Sequence, residues 1–240
     1  MAATLYSVSL SHPGQAARLM LEQKKIEHDV VDLLPGLHPL LVRMHGFRGA
    51  TVPALKMNGR RIQGSLAISR AVEALQPEPP LFPSDPERRR AVEEAERWGE
   101  REFQPVPRRV FRWGASNSLA LRRWLAELVG LPAPALSARL NAPIARALAR
   151  KVGADDRRVR ADVVSLPATL DRVDGLIADG TIGGDPPNAA DFQIATTVRA
   201  LLAFQDLRDR VEGRPAAELA LRIQPGFPGD VPPMLPPEWL

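Results

Sequence analysis

Ser11 and His12 stand in a short loop, Ser9-Leu10-Ser11-His12, between a β-prone run at Thr4–Val8 and a helical pattern opened by Pro13-Gly14. A hydroxyl at a helix N-terminus can cap the helix by accepting a backbone N–H. It can equally donate its O–H to an anion such as a thiolate, whose charge the helix end also favours. Ser7 and Ser9 compete for that role, and Tyr6 lies within the strand run. His12 can hydrogen-bond the same sulfur or, protonated, favour its charge; read blandly, it is an exposed loop histidine. Gly64-Ser65 opens another helical run, Ser65–Leu75, whose free N–H groups suit a carboxylate. Arg108, Phe111 and Arg112 fall near the end of a long helical pattern, beside Arg109 and Trp113. Guanidiniums next to aromatic rings suit an apolar molecule bearing an acid group. The same run also fits a solvated helix face with Phe111 or Trp113 in the core. Asn188 and Asp191 have the spacing of a capping box at a helix start. No paired-carboxylate site, close His cluster, phosphate-binding glycine loop or Ser-His-Asp order occurs, so no metal or nucleotide is implied.

The elements that must position these residues follow from periodicity. After the helix at Pro13, Ile26–Leu33 alternates as a strand, and Pro39–His45 is loosely helical. Val52–Met57 and Arg60–Ile62 read as a hairpin joined by Asn58-Gly59, the strongest short hairpin signal. The order over residues 1–76 is β-α-β-α-β-β-α. Gln76–Pro86 carries five prolines and reads as a linker. From Glu87 the pattern is helical, with expected helices at 87–113, 117–129, 135–151, 155–179, 188–204 and 214–222. The last fifteen residues hold Pro228, Pro232, Pro233, Pro236 and Pro237 and read as an extended tail, loose at its end or laid over a cleft.

Composition excludes several function classes. Hydrophobic residues make up 45% and charged residues 25%, which is globular rather than disordered. No run of ~18 apolar residues or secretory leader is present, so the expected compartment is the cytoplasm and no membrane is expected as a partner. With no cysteine the chain has no disulfide or thiolate chemistry of its own. The pI near 10.1 suggests nucleic acid. However, basic and acidic residues number 9 and 5 over residues 1–76 and 23 and 23 over residues 77–240, so no basic block stands out and nucleic acid is not expected as a partner.

Leu5-Tyr6-Ser7, Ser11, Arg18, Val52-Pro53-Ala54-Leu55, Ile62 and Gly64-Ser65 together resemble the thioredoxin-like domain of the glutathione S-transferase family. Gly184 through Phe192 is similar to that family's helical-domain signature. The resemblance is to serine-type, theta- or zeta-like bacterial members. It implies an α/β thioredoxin-like thiol-binding domain at 1–76, a linker at 77–86, an all-helical domain at 87–225 and a Pro-rich tail at 226–240. It further implies a transferase that adds or exchanges a small thiol, glutathione or another, on a mostly apolar electrophile. The alternative is a non-catalytic ligand- or protein-binding member of the same fold. Ser11 is then the thiolate partner, and His12, His38, Val52, Pro53, Gly64 and Ser65 surround the thiol cofactor. The Val52–Pro53 bond is expected to be cis, with the Val52 backbone pairing with the thiol as an added strand does. Arg108, Phe111 and Arg112 are expected at the second-substrate cleft, and the protein is expected to form a homodimer. Pro13 stands where redox-active relatives carry Cys. Gly64 departs from the acidic or amide residue usual there and offers no acceptor for glutathione's ammonium, so weak glutathione binding, or a preference for another small thiol with an anionic end, is expected.

Overall fold

The computed structural model describes residues 3–240. Over the first third, β1 (Ala3–Ser7), α1 (His12–Gln23), β2 (Asp29–Asp32), α2 (His38–Met44), β3 (Ala54–Met57), β4 (Arg60–Gln63) and α3 (Ser65–Leu75) follow one another as expected. The four strands form one sheet in the order β2-β1-β3-β4, with β1 parallel to β2 and the other pairs antiparallel. Asn58 and Gly59 both take positive φ, 50° and 74°, the conformation a two-residue hairpin demands. Side chains alternate across the sheet. Leu5 and Leu55 face Ala17 and Met20 of α1 and Ile68 and Val72 of α3. Tyr6 and Ala54 face Val42 of α2 and Phe47 on the other side.

No helix or strand forms between α3 and the next helix, and the segment is pinned rather than free. Lys24 is fully buried, pairs with Glu73 and donates to the Pro77 carbonyl at 2.9 Å. Glu73 also accepts the Leu81 N–H at 2.9 Å. Leu81 and Phe82 are thereby inserted into the core shared by the sheet layer and the helices that follow.

Those helices are α4 (Pro86–Trp98), α5 (Pro105–Asn117), α6 (Leu119–Leu128), α7 (Pro134–Leu140), α8 (Ala142–Lys151), α9 (Asp156–Ala178), α10 (Ala189–Leu202), α11 (Arg208–Val211) and α12 (Pro215–Ile223). The sequence pattern reads α4 and α5 as one helix. In the structure a π-helical turn, Gly99–Phe103, separates them. Gly99 permits the close contact there, since a Cβ on it would lie 3.1 Å from both Gln193 and Ile194 of α10. The helix expected at 135–151 is broken at Asn141, because Pro143 lacks an N–H and its ring crowds the preceding turn. At the centre, every residue of α10 except Arg199 is buried. Its start is held by the expected capping box, in which Asn188 Oδ1 accepts from Asp191 N and Asp191 Oδ2 accepts from Asn188 N.

The C-terminal segment corrects the expectation of a loose end. Val231 pairs with the chain at Ala203 and Gln205, and Asp206 accepts the N–H groups of Met234 and Leu235 at 2.6 and 2.9 Å. Val231 and Leu235 are buried, and the Trp239 ring lies 4.9 Å from that of Trp113. Among the described residues no helix is long and apolar enough to cross a membrane.

Candidate active site

Ser11 is the N-cap of α1, and its Oγ accepts the Gly14 N–H at 3.2 Å. Accepting leaves the hydroxyl proton free, so the capping and donating roles coexist. Its competitors are committed elsewhere: Ser9 Oγ donates to Asp32, and Ser7 is buried with its Oγ 3.4 Å from the Val8 carbonyl; Tyr6 packs against a tilted His45 ring and the edge of Phe47. Ser11 opens onto a cavity of about 200 Å³ between the sheet layer and the helices.

His12 and His38 are both on the wall of this cavity. His12 is buried, and its Nε2 lies 3.2 Å from the Gln104 carbonyl. Burial lowers its pKa to about 3; the Arg108 charge adds to this, and the Gln104 carbonyl offsets only part. His12 is therefore neutral, which assigns its Nε2–H as donor to Gln104. Neither a protonated His12 beside a thiolate nor an exposed loop histidine survives this burial. His38 begins α2, its Nδ1 is buried without a partner, and its pKa is lowered to about 4 by burial and by Arg112, Lys151 and Arg108.

The Val52–Pro53 peptide is cis. Val52 lines the cavity, and among the described residues neither its N–H nor its C=O makes a backbone hydrogen bond. Pro53, Gly64 and Ser65 are not among the residues that line the cavity. The Pro53 carbonyl accepts the Gly64 N–H at 2.9 Å, and Gly64 has φ +94° at the start of α3, a conformation glycine takes without a Cβ penalty. Ser65 Oγ is buried with no partner. An orphaned hydroxyl at a helix N-terminus and an unpaired edge at Val52 fit a small peptide-like thiol with a terminal carboxylate.

The arginine run divides by helical periodicity. Arg109 forms a two-point pair with Asp162 at 2.6 and 2.7 Å, and Trp113 Nε1 donates to Asp156 at 2.7 Å, so both serve packing. Arg108, Phe111 and Arg112 turn to the cavity. Burial lowers both cavity guanidiniums below their ordinary pKa; the Arg109 charge adds to this for Arg108, and the Arg108 charge for Arg112. Arg108 donates to Gln104 Oε1 at 2.7 Å, and neither arginine has a carboxylate partner among the described residues. Lys151, Leu148, Phe204, Phe227 and Val231 also line the far wall, with Phe111 and Phe204 stacked at 6.4 Å. Sequence reasoning missed these five, which come from three separate segments. No group of three or more His, Asp or Glu residues is placed to hold a metal among the described residues.

Residues 5–80 match the family model described as glutathione S-transferase, N-terminal domain. The chain carries a glutathione S-transferase N-terminal domain. The whole chain has the glutathione S-transferase fold. It superposes on a glutathione S-transferase from Rhodospirillum rubrum with a TM-score of 0.60 and 19% identity, covering 99% of this chain and 97% of that one. FzlA from C. crescentus gives 0.61 and 20%, covering 97% and 96%. A maleylacetoacetate isomerase from Anaeromyxobacter dehalogenans, with bound dicarboxyethyl glutathione and citrate, gives 0.55 and 20%, covering 92% and 89%. At the level of sequence no curated protein matches the chain. Within the glutathione S-transferase fold, the cavity lies between the thioredoxin-like layer, which supplies Ser11, His12, His38 and Val52, and the helices, which supply Arg108, Phe111 and Arg112.

Proposed function

We propose that this protein is a serine-type glutathione S-transferase-like enzyme joining a small thiol to a mostly apolar electrophile that bears an acid group. Ser11 donates its free O–H to the thiolate sulfur, and the α1 N-terminus adds partial positive charge. The Val52 backbone holds the thiol's peptide-like part, and Ser65 with the α3 N-terminus takes a carboxylate. Arg108 and Arg112 hold the acid group of the electrophile. The sulfur forms a bond to the electrophilic carbon. The displaced electron pair either leaves with a leaving group or moves along a conjugated system that then takes a proton from water. Residues 1–76 act as the thiol-binding domain, 77–86 as linker, 87–225 as the helical domain and 226–240 as a tail over the cavity, in a cytoplasmic homodimer. An even charge balance over the helical part leaves dimerisation unopposed, and a monomeric mass in light scattering refutes that part.

One observation carries the reading: the Ser11 hydroxyl and two guanidiniums without acidic partners share one apolar cavity. The test is a conjugation assay with glutathione and other anionic thiols against electrophiles matched except for a carboxylate. Turnover favouring the acid-bearing member is expected. Thiol binding without turnover of either member assigns the non-catalytic ligand-binding alternative instead.

A further inference from the structure

Charge that balances when counted by domain is segregated along the chain. Residues 33–72 and 128–154 together hold ten of the 32 Lys and Arg residues and none of the 28 Asp and Glu. The first stretch contains α2, and the second contains α7 and α8. Both border the cavity: Pro35, His38 and Pro39 line it from the α2 side, and Leu148, Lys151 and Val152 from the α8 side. Each rim also carries aliphatic side chains that the fold leaves in solvent. Leu37, Leu40 and Met44 are exposed along α2, Met44 by 73%, and their spacing of three and four residues puts them on one face. Leu136, Leu140 and Ile144 are exposed along α7 and α8 at spacings of four, Leu140 by 68%. The same spacing continues into Leu148 and Val152 of the cavity wall. Single exposed leucines need no explanation, but two such stripes flanking one cavity do.

Arginines accompany both stripes. Arg43, Arg139, Arg146 and Arg150 are exposed, and none forms an ion pair among the described residues. On other helices the exposed Arg18, Arg89 and Arg123 each pair with a glutamate four residues on. Aliphatic tips set among unpaired guanidiniums, with no acid nearby in the chain, fit the boundary between anionic headgroups and acyl chains. The tips enter the apolar layer and the guanidiniums meet the phosphates. A nucleic acid would engage the arginines but leave the aliphatic tips in water. The centre of a protein–protein interface favours aromatic side chains, and neither stripe has one. Among the described residues no helix can cross a membrane, so the expectation of no membrane partner holds for spanning. Lying on a bilayer needs only an apolar and basic face.

We propose that the exposed faces of α2 and of α7–α8 dock this protein on an anionic lipid bilayer. Docking of this kind does not depend on the thiol chemistry proposed above. The test is co-sedimentation of the full-length protein with vesicles of equal parts phosphatidylglycerol and phosphatidylcholine, and with vesicles of phosphatidylcholine alone. Binding to the anionic vesicles that weakens as salt rises is expected, with little binding to the neutral ones. Arg139→Gln combined with Arg146→Gln should weaken it about thirtyfold, at ~1 kcal/mol per arginine. Leu140→Ser combined with Ile144→Ser should weaken it about tenfold, because the aliphatic tips no longer enter the apolar layer. All four residues are exposed, so both variants should melt with wild type. Absence of wild-type binding to the anionic vesicles, or full binding by either double variant, overturns the docking. If wild type does not bind, a lower mass of the Leu140→Ser, Ile144→Ser variant in light scattering assigns the stripe to a second copy of the chain instead. Binding of wild type to duplex DNA in that case assigns the arginines to nucleic acid.

Discussion

His12 should make the protein's stability depend on pH in a direction and over a window that its surroundings fix. The ring is 6% exposed and its pKa falls from 6.5 to about 3, chiefly by burial. A folded-state pKa below the unfolded value means that the unfolded chain takes up a proton which the folded chain refuses. The contribution is complete above about pH 6.5 and is lost progressively as pH falls towards 3. At ~1.4 kcal/mol per unit, His12 alone should cost ~2 kcal/mol of stability at about pH 5. His12→Gln keeps a donor for the Gln104 carbonyl and has no proton to gain. Urea unfolding of both proteins at about pH 7.5 and about pH 5 isolates the term, because the raised carboxyls of Glu96 and Asp191 titrate alike in each. Wild type should lose ~2 kcal/mol more than the variant between those two values. Parallel pH dependence in the two proteins would refute the burial of a neutral His12. The same neutrality means that the ring lends no charge to a thiolate, so His12→Gln should leave the pH profile of conjugation in place.

Ser11→Ala should slow conjugation about ten- to a hundredfold through loss of a donor to a charged sulfur. It should also cost ~0.5–2 kcal/mol of stability through loss of the Gly14 cap, read by thermal unfolding beside the rate. Arg112→Met removes a half-buried guanidinium without an acidic partner, so it should raise stability by ~1 kcal/mol or less while weakening acid-bearing electrophiles and sparing neutral ones, as paired melting and KM measurements will show. Truncation after Pro225 withdraws Val231 and Leu235 from the core at ~1.5–3 kcal/mol each and opens the Phe227 side of the cavity; a lower melting temperature and poorer discrimination among apolar electrophiles are expected. Gly64→Glu should lose ~1–2 kcal/mol to the φ of +94° and bring a second carboxylate towards Glu100, so calorimetry should show no gain in glutathione affinity.

What was legible in the sequence is what short-range physics decides. Asn58-Gly59 specifies its hairpin because both residues tolerate positive φ, and Asn188 with Asp191 specifies a helix start because each satisfies the other's backbone donor. Ser65–Leu75 matches its predicted limits for the same reason. Misreadings begin where a distant partner decides. Gly99 looks like a tolerated glycine inside a helix, and its close approach to Gln193 and Ile194, at the start of the π-turn, is invisible in the local sequence. Pro143 breaks the helix read at 135–151, although the apolar periodicity continues on either side of it. The tail composition names an extended chain and says nothing of Asp206, whose carboxylate ties it down. The arginine run was ambiguous because Arg109 and Arg112 have the same side chain, and their difference lies in Asp162, which faces one and not the other.

The same reasoning explains why the unsatisfied groups of this protein gather where they do. Lys24, Glu96 and Asp191 are buried charges that each find partners within the chain, as stability requires. Around the cavity the rule reverses. Arg108 and Arg112 lack an acid, His38 keeps an orphaned Nδ1, and at the α3 N-terminus Ser65 keeps an orphaned Oγ. The orphaned His38 Nδ1 and Ser65 Oγ each cost folding free energy, ~1–3 kcal/mol for an unpaired buried polar atom. The missing partners are of two kinds set apart in space: an anion for the guanidiniums on the helical wall, and a carboxylate for Ser65 at the α3 N-terminus. Ser11, with its proton free, lies on the cavity wall of the thioredoxin-like layer. The two-substrate reaction proposed at Ser11, with the thiol anchored on one side and the acid-bearing electrophile on the other, would supply both kinds of partner at once.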